Sequence, residues 1–394
     1  MANESPFLLF KVECPICKTI NEFEVVRVGA YTEDGRDTDF CPMNIKWRFP
    51  RYQAYNPLVF FTGTCGNCFY SRELTNGYRD WKNDNTFRTY RLKDIKERHL
   101  EQLSTAESVV KPMGQAIDLS RFPNESAIVK LHLAIYDEHL ADRCSNLDLG
   151  RFYLRIAWVF RDLEKGENPQ LLFLRGMMGE LDGKFGSLTQ AVETVQKDTD
   201  EFERNVKSHF ESEQLATDLK AQMIAFDSRY AEQIGGLNEL TREFRKRLAS
   251  LGDLMEEYKQ VTLGTGDDSS GPTFGNFRSF AEFLAQMKKR WPKVVCNERE
   301  AMEQAVYHYK EAFASGRDIS PGTQQIQASY LIAELSRRIG DHDGAREYFT
   351  STIKTGQDFI YRHRQDRSRT VLARKILELA IEQGRTNLAQ AEAG

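Results

Sequence analysis

Between Phe185 and Thr262 apolar residues recur at steps of three and four. Phe185, Leu188, Val192, Val195, Thr199, Phe202, Val206 and His209 form one series, and Leu237, Leu240, Phe244, Leu248, Leu251, Met255, Tyr258 and Thr262 a second. A seam of this period is that of a coiled coil. No proline falls between Pro169 and Pro272, so nothing covalent interrupts the helices. Gly235-Gly236 is the one signalled break between the two series, and it predicts a reversal there, giving an antiparallel hairpin whose first arm reaches ~70 Å. The seam can close on itself or on a second copy of the chain, as a homo-oligomer, and the pattern does not choose.

A different period appears on both sides of this stretch. Gly340-Asp341 followed by Ala345 and Phe349 has the small-then-aromatic spacing of the second helix in a tetratricopeptide hairpin, with Ala328 to Ile339 as its first helix. A further pair is split. Tyr153, Ile156, Ala157 and Phe160 read as a first helix, whereas Ala305, Tyr309 and Ala312 read as its partner. The coil is then an insertion within a repeat, and its ends must return to one place. Leu131 to Leu140 and Val371 to Ile381 supply flanking helices, the latter a cap. Such pairs stack into a short solenoid whose groove suits a peptide or a partner helix. The polar stretch Leu263 to Gly275 reads as a linker.

The first hundred residues are of another kind, rich in aromatics and turn formers. Alternation from Phe23 to Val28 and the run Leu58 to Thr62 predict short strands, the second leading into a Cys pair.

Length and charge narrow the picture. A chain of 394 residues calls for two or three structural units. A formal charge of -4 gives no global attraction to nucleic acid or an anionic membrane. Phe7-Leu8-Leu9-Phe10 is too short for a signal-peptide core, and no run approaches the ~20 residues of a membrane span, so a cytoplasmic protein is expected. The odd count of seven cysteines fits a reducing compartment, with Cys144 and Cys296 read as buried small hydrophobes.

Four of those cysteines, Cys14, Cys17, Cys65 and Cys68, stand as two Cys-x-x-Cys pairs. Two such turns suit one tetrahedral Zn²⁺, and four thiolates leave no open position for an activated water, so a structural ion is expected whose chelation melts the head. Cys41 is read as a packed residue, with a spare thiol or an alternative ligand as the other readings. Neither pair opens a helix in a βαβ pattern, which speaks against redox use.

Residues 40 to 98 hold eleven Lys or Arg against five acids, interleaved with aromatics. Arg48, Arg51, Arg79 and Arg88 with Trp47 and Trp81 are therefore candidate contacts to single-stranded nucleic acid, the runner-up to an ordinary packed surface. By contrast residues 185 to 262 hold 10 basic and 15 acidic side chains, a poor nucleic-acid surface. His132 and His139 lie two helical turns apart, about 10 Å along the axis, too far for one ion without a third ligand. The glycines at 176, 179, 183 and 186 lack the Ser or Thr of a phosphate loop. No nucleophile and base pair can be justified, so the chain reads as a non-enzyme.

Cys14 to Cys17, Asp37-Thr38-Asp39-Phe40, Asn56-Pro57, Cys65 to Cys68 with Tyr70, Tyr153 to Trp158 and Tyr330 to Asp341 together resemble the bacterial family known as domain of unknown function 2225. The likeness covers residues 8 to 165 and 298 to 355. It implies a cytoplasmic bacterial protein with a metal-knuckle head and a tetratricopeptide-like body, with no established activity to carry over, and the long coil departs from the family pattern. The expected fold is α+β, mostly α: a zinc-ribbon-like head over 1–110, first tetratricopeptide-like helices over 111–170, the coiled-coil insertion and linker over 171–297, and further such helices with a cap over 298–394. The expected role is a non-catalytic scaffold or adaptor for a protein partner. The alternatives are a nucleic-acid-associated regulator using the head and an enzyme of unrecognised class.

Overall fold

In a computed structural model the described residues are 5–164, 169–210, 217–264 and 274–393, with the backbone alone for parts of the two longest helices. The chain is mostly helical, with three two-stranded antiparallel sheets among the described residues. In chain order these are β1 (Phe7–Glu13) with β2 (Ile20–Val26), β3 (Tyr31–Thr32) with β4 (Lys46–Trp47), and β5 (Thr62–Thr64) with β6 (Ser71–Glu73). Phe7 to Phe10 is the start of β1, in register with Phe23 to Val26 of the strand expected over Phe23 to Val28.

The run Leu58 to Thr62 is not a strand. Pro57 opens a 3-10 turn over Pro57–Phe60, and the Asn56 side chain caps it by accepting from the Leu58 N–H at 3.0 Å. Proline fixes φ and removes the donor a ladder needs, so pairing starts only at Thr62.

The helices are α1 (Asn85–Tyr90), α2 (Leu92–Ser104), α3 (Val110–Gln115), α4 (Pro123–His139), α5 (Asn146–Leu163), α6 (Pro169–Phe210), α7 (Thr217–Gly264), α8 (Phe280–Arg290), α9 (Glu298–Ser315), α10 (Thr323–Ile339), α11 (His342–Arg362) and α12 (Arg367–Ala393). Two compact units result. One comprises residues 1–48, 54–169 and 269–394, the other residues 49–53 and 170–268.

In the first unit α4 is buried along almost its whole length, polar residues such as Lys130 and His132 included, the mark of a central helix. Around it gather Val59, Phe152, Ile156, Phe283, Met302 and Leu331 in one continuous core. The split pair meets: α5 packs along α9, with Gly150 against the Tyr309 ring and Tyr153 stacked on His308 at 5.6 Å. Arg161 at the far end of α5 reaches Glu298 at the start of α9, so the two run antiparallel. α10 and α11 pack in the same manner, joined by Gly340 in the left-handed region (φ 88°) and by Asp341, which caps α11. Residues 274–297, grouped by sequence with the coil and linker, enter this core through Phe274, Phe283, Leu284 and Met287.

In the second unit α6 and α7 lie antiparallel. Phe185 meets Phe244 with ring centroids 4.7 Å apart, Arg245 pairs with Asp182 at 3.3 Å, and a Cβ added at Gly252 would lie 3.6 Å from Met178. Gly235-Gly236 lies inside α7 and does not turn the chain. Each glycine costs about 1 kcal/mol of helix propensity, which a helix of 48 residues absorbs. Residues 211–216, between α6 and α7, lie outside the described residues, as do most of the expected linker and the side chains of Thr199, Phe202, Val206, His209, Met255, Tyr258 and Thr262. The glycines at 176, 179, 183 and 186 are helical residues of α6.

Candidate metal centre

The two Cys pairs occupy equivalent turns. Cys14 to Thr19 joins β1 to β2, and Cys65 to Tyr70 joins β5 to β6. In each, the first cysteine N–H donates across the turn, Cys14 to Thr19 O at 2.8 Å and Cys65 to Tyr70 O at 2.9 Å. The fifth residue then donates back to the first carbonyl, Lys18 to Cys14 at 3.1 Å and Phe69 to Cys65 at 3.0 Å. Both fifth residues are left-handed, Lys18 at φ 66° and Phe69 at φ 65°. The same backbone bend thus turns each pair of side chains inward, although one turn reads CPICKT and the other CGNCFY.

The four sulfurs converge. Cys14 Sγ lies 3.7 Å from Cys68 Sγ, Cys17 Sγ 3.5 Å from Cys65 Sγ, and all four lie within 4.8 Å of one another. Tetrahedral coordination at the usual zinc–sulfur distance places sulfurs about 3.8 Å apart. Four thiols packed this closely also compete for negative charge. The Cys14 thiol holds Cys65 far below the usual thiol range, while the contact with Cys65 pushes Cys14 up to about 12 and that with Cys14 pushes Cys68 up as well. A divalent cation removes that competition, since it lets all four ionise. The donor set therefore fits a bound metal ion.

Neighbouring polar groups fix the sulfurs from outside. Asn21 of β2 crosses to the other turn, donating to Cys65 Sγ at 3.5 Å and accepting from the Gly66 N–H at 2.9 Å. Thr19 Oγ1 lies 3.3 Å from Cys17 Sγ and accepts from the Asn67 amide at 3.2 Å.

Beneath the second turn lies a buried pair that sequence reasoning missed. His99 of α2 places Nε2 2.8 Å from the Cys68 carbonyl and Nδ1 2.6 Å from Asp137 of α4, whose other oxygen accepts from the Ser71 N–H at 2.7 Å. A carbonyl only accepts, so Nε2 carries a proton. Burial alone would lower the His99 pKa, but the Asp137 carboxylate outweighs it and holds it above the usual value. Asp137 gave no distinct signal, being one of several polar residues, with Lys130, His132 and Glu138, on a helix that is mostly buried. Such outer partners orient the ligands of metal sites. Phe69 closes the contact by lying flat against Gly114 of α3, where an added Cβ would fall 2.0 Å from the ring.

Cys41 is not part of this group. It is buried, its thiol donates to the Pro42 carbonyl at 3.6 Å, and desolvation pushes the thiol up to about 12. Cys144, expected to be buried, is exposed, because it sits in the turn after α4 instead of on a helix face. Cys296 is half-buried. His132 is a structural residue: Nδ1 donates to Ile128 O at 2.9 Å and Nε2 accepts from the Val295 N–H at 3.1 Å.

The basic, aromatic set does not assemble into a stacking surface. Trp47 is 5% exposed and donates to Tyr55 O at 2.9 Å, while Trp81 is 7% exposed and donates to Glu13 O at 2.8 Å. Neither ring is free to stack on a base. Arg79 lies over the Phe10 ring, and Arg88 donates to Lys82 O at 2.8 Å. Arg48 is exposed, and Arg51, in the second unit, pairs with Glu180 at 3.8 Å.

No helix among the described residues is long and apolar enough to cross a membrane. No curated protein and no solved structure matches the chain. A family model described as "Uncharacterized protein conserved in bacteria (DUF2225)" matches residues 9–199 and 286–372. The match takes in both cysteine turns, the helices α4, α5, α9 and α10 and the first part of α6, and it covers most of the sequence; the chain belongs to the DUF2225 family.

Proposed function

We propose that this protein is a non-catalytic, zinc-stapled adaptor that engages a helical protein partner through the α6–α7 pair. Zinc is the metal of choice for four thiolates in a closed tetrahedron, and such a site supplies folding energy instead of a reaction centre. α6 and α7 act as a coiled-coil hairpin, and α5, α9, α10 and α11 act as tetratricopeptide-like hairpins that carry it.

One observation carries the reading. Where two helices close a seam completely, the seam residues are buried; here Leu240 is 61% exposed and Phe244 43%, with Leu188, Val195 and Leu251 exposed beside them. An apolar stripe at coiled-coil spacing that its own partner helix leaves open is suited to a third helix, received by i, i+3, i+4 packing. Scattered exposed apolar residues need no explanation, but a periodic row of them does.

The test is affinity capture with the full chain and with a variant carrying Leu188→Glu, Leu240→Glu and Phe244→Glu, alongside light scattering of both. A defined protein retained by the first and lost with the second supports the adaptor. An identical capture profile removes it, and a concentration-dependent dimer abolished by the variant transfers the seam to a second copy of the chain.

A further inference from the structure

Away from the cysteines, the first unit holds a cavity of about 410 Å³ among α5, α9, α10 and the loop preceding β4. Its wall combines Arg151 and Arg155, the aromatic side chains Phe40, Trp158 and Tyr309, and the amides Gln324 and Gln327. Nothing in the metal centre or the α6–α7 pair involves it.

The ionic arrangement of this wall is unbalanced in one place. Most inward-facing arginines of the first unit meet carboxylates: Arg161 meets Asp39 and Asp37, Arg338 meets Glu334 and Asp37, and Arg91 meets Glu138. Arg151 takes Asp148 at 3.0 Å and Glu73 at 3.2 Å, while Asp39, the carboxylate in the lining, is committed to Arg161 at 2.8 Å and to Trp158. Arg36 is held on Glu33. Arg155 has no carboxylate within ion-pair distance among the described residues. Its Nη1 donates to the Arg151 carbonyl at 3.0 Å, its guanidinium lies over the Phe61 ring at 4.1 Å, and its Nε is buried without a partner. Where carboxylates hold Arg91, Arg151, Arg161 and Arg338 above the usual range, burial and then the repulsion of Arg151 push Arg155 down to about 10. A half-buried guanidinium with no carboxylate beside it keeps donors free for an anion entering the cavity.

We infer that this cavity is a binding site for a nucleoside monophosphate, with the phosphate on Arg155 and the base among Trp158, Phe40 and the two glutamines. A guanidinium offers a planar fork that matches phosphate oxygens. Aromatic faces stack on a base irrespective of its identity, and glutamine amides can both donate to and accept from its edge. The volume lies within the range of small-ligand pockets and is suited to a single nucleotide. A bare anion would leave the aromatic and amide part of the wall unused.

Thermal unfolding of the full chain tests this, with the four nucleoside 5′-monophosphates, the matching nucleosides, ribose 5-phosphate and inorganic phosphate as probes. At least one monophosphate should raise the midpoint by several degrees at millimolar concentration, with the nucleoside and inorganic phosphate far less effective. Arg155→Gln should weaken binding at least about tenfold, while itself unfolding no earlier than the parent because it removes an uncompensated charge. Gln327→Trp, which fills the cavity from α10 and leaves the arginine in place, should abolish the shift, and it decides the matter if Arg155→Gln does not fold. The inference is overturned if no monophosphate shifts the midpoint, if the shift survives Gln327→Trp or a folded Arg155→Gln, or if inorganic phosphate alone reproduces it in full.

Discussion

Asp39 and Arg161, 122 positions apart, form the centre of a buried ionic cluster that ties the loop before β4 to the helices. Arg161 Nη2 lies 2.8 Å from Asp39 Oδ2, and Asp39 also accepts from Trp158 Nε1 at 3.1 Å and from the Cys41 N–H at 3.1 Å. Arg161 extends to Asp37 at 2.9 Å and Glu298 at 2.6 Å. Arg338 of α10 then joins Asp37 to the buried Glu334, and the Tyr330 hydroxyl donates to Thr38 O at 2.8 Å. Four elements distant in sequence are held by one set of charges.

Removing Arg161 leaves the fully buried Asp39 carboxylate without its cation, whereas removing Asp39 leaves Arg161 with Asp37 and Glu298. Arg161→Ala should therefore cost about 3–5 kcal/mol of stability and Asp39→Ala less, while the double variant costs clearly less than the sum. Urea unfolding of the two single variants and the double variant measures this. Strict additivity would mean that the two residues act separately.

The motifs that carry the family resemblance were legible as a list, and their meeting place was not. Asp37-Thr38-Asp39 and Tyr330 to Arg338 stand some 300 positions apart, and no local period relates an acid in a loop to an arginine on a distant helix. What could be read were features with a short physical range. The Cys spacing marked the sulfur turns, and the small and aromatic positions of α5 and α9 marked two helices that pack on each other. Local signals also misled. The β-branched and aromatic run after Pro57 lost to the proline, and Gly235-Gly236 lost to the continuity of α7. Arg155 could not be singled out at all, because what distinguishes it is a carboxylate that fails to arrive in three dimensions.

Gly114 is required by contact and not by backbone conformation. A methyl group there would meet the Phe69 ring at 2.0 Å, and Phe69 is the left-handed residue that closes the second cysteine turn. Gly114→Ala should cost about 1–3 kcal/mol and loosen metal binding, whereas Gly179→Ala, with open space around it, should be neutral or slightly stabilising. Paired measurements of midpoint and metal content check both, and equal effects at the two sites would remove the argument.

For the cysteines, purified protein should hold one divalent ion per chain, bound as strongly as four thiolates allow. Replacing Cys68 by Ser should release it and unfold the turn region, and so should a strong chelator. Cys41→Ser should leave metal content unchanged, since its thiol faces the Pro42 carbonyl outside the group of four. Elemental analysis of the three proteins is decisive: a full complement of metal in Cys68→Ser would show that the ion sits elsewhere.

His132 provides a pH dependence whose sign follows from its hydrogen bonds. Nε2 accepts from the Val295 N–H, so protonation breaks that bond and places a charge in an apolar core. Burial accordingly pushes the folded pKa down to about 4 from the usual 6.5. Between those values the unfolded chain binds the proton that the folded chain refuses. The contribution of His132 is thus complete above pH 6.5, falls as the pH drops, and is gone below about 4; the displacement corresponds to roughly 3 kcal/mol. Other groups titrate over the same interval, so the comparison is with His132→Gln, whose side chain carries no titrating proton. Measured by urea unfolding at pH 7, 6 and 5, the parent should lose stability faster than the variant as the pH falls, with the gap between them narrowing. A gap independent of pH would show that the imidazole takes up a proton as readily in the folded chain as in the unfolded one.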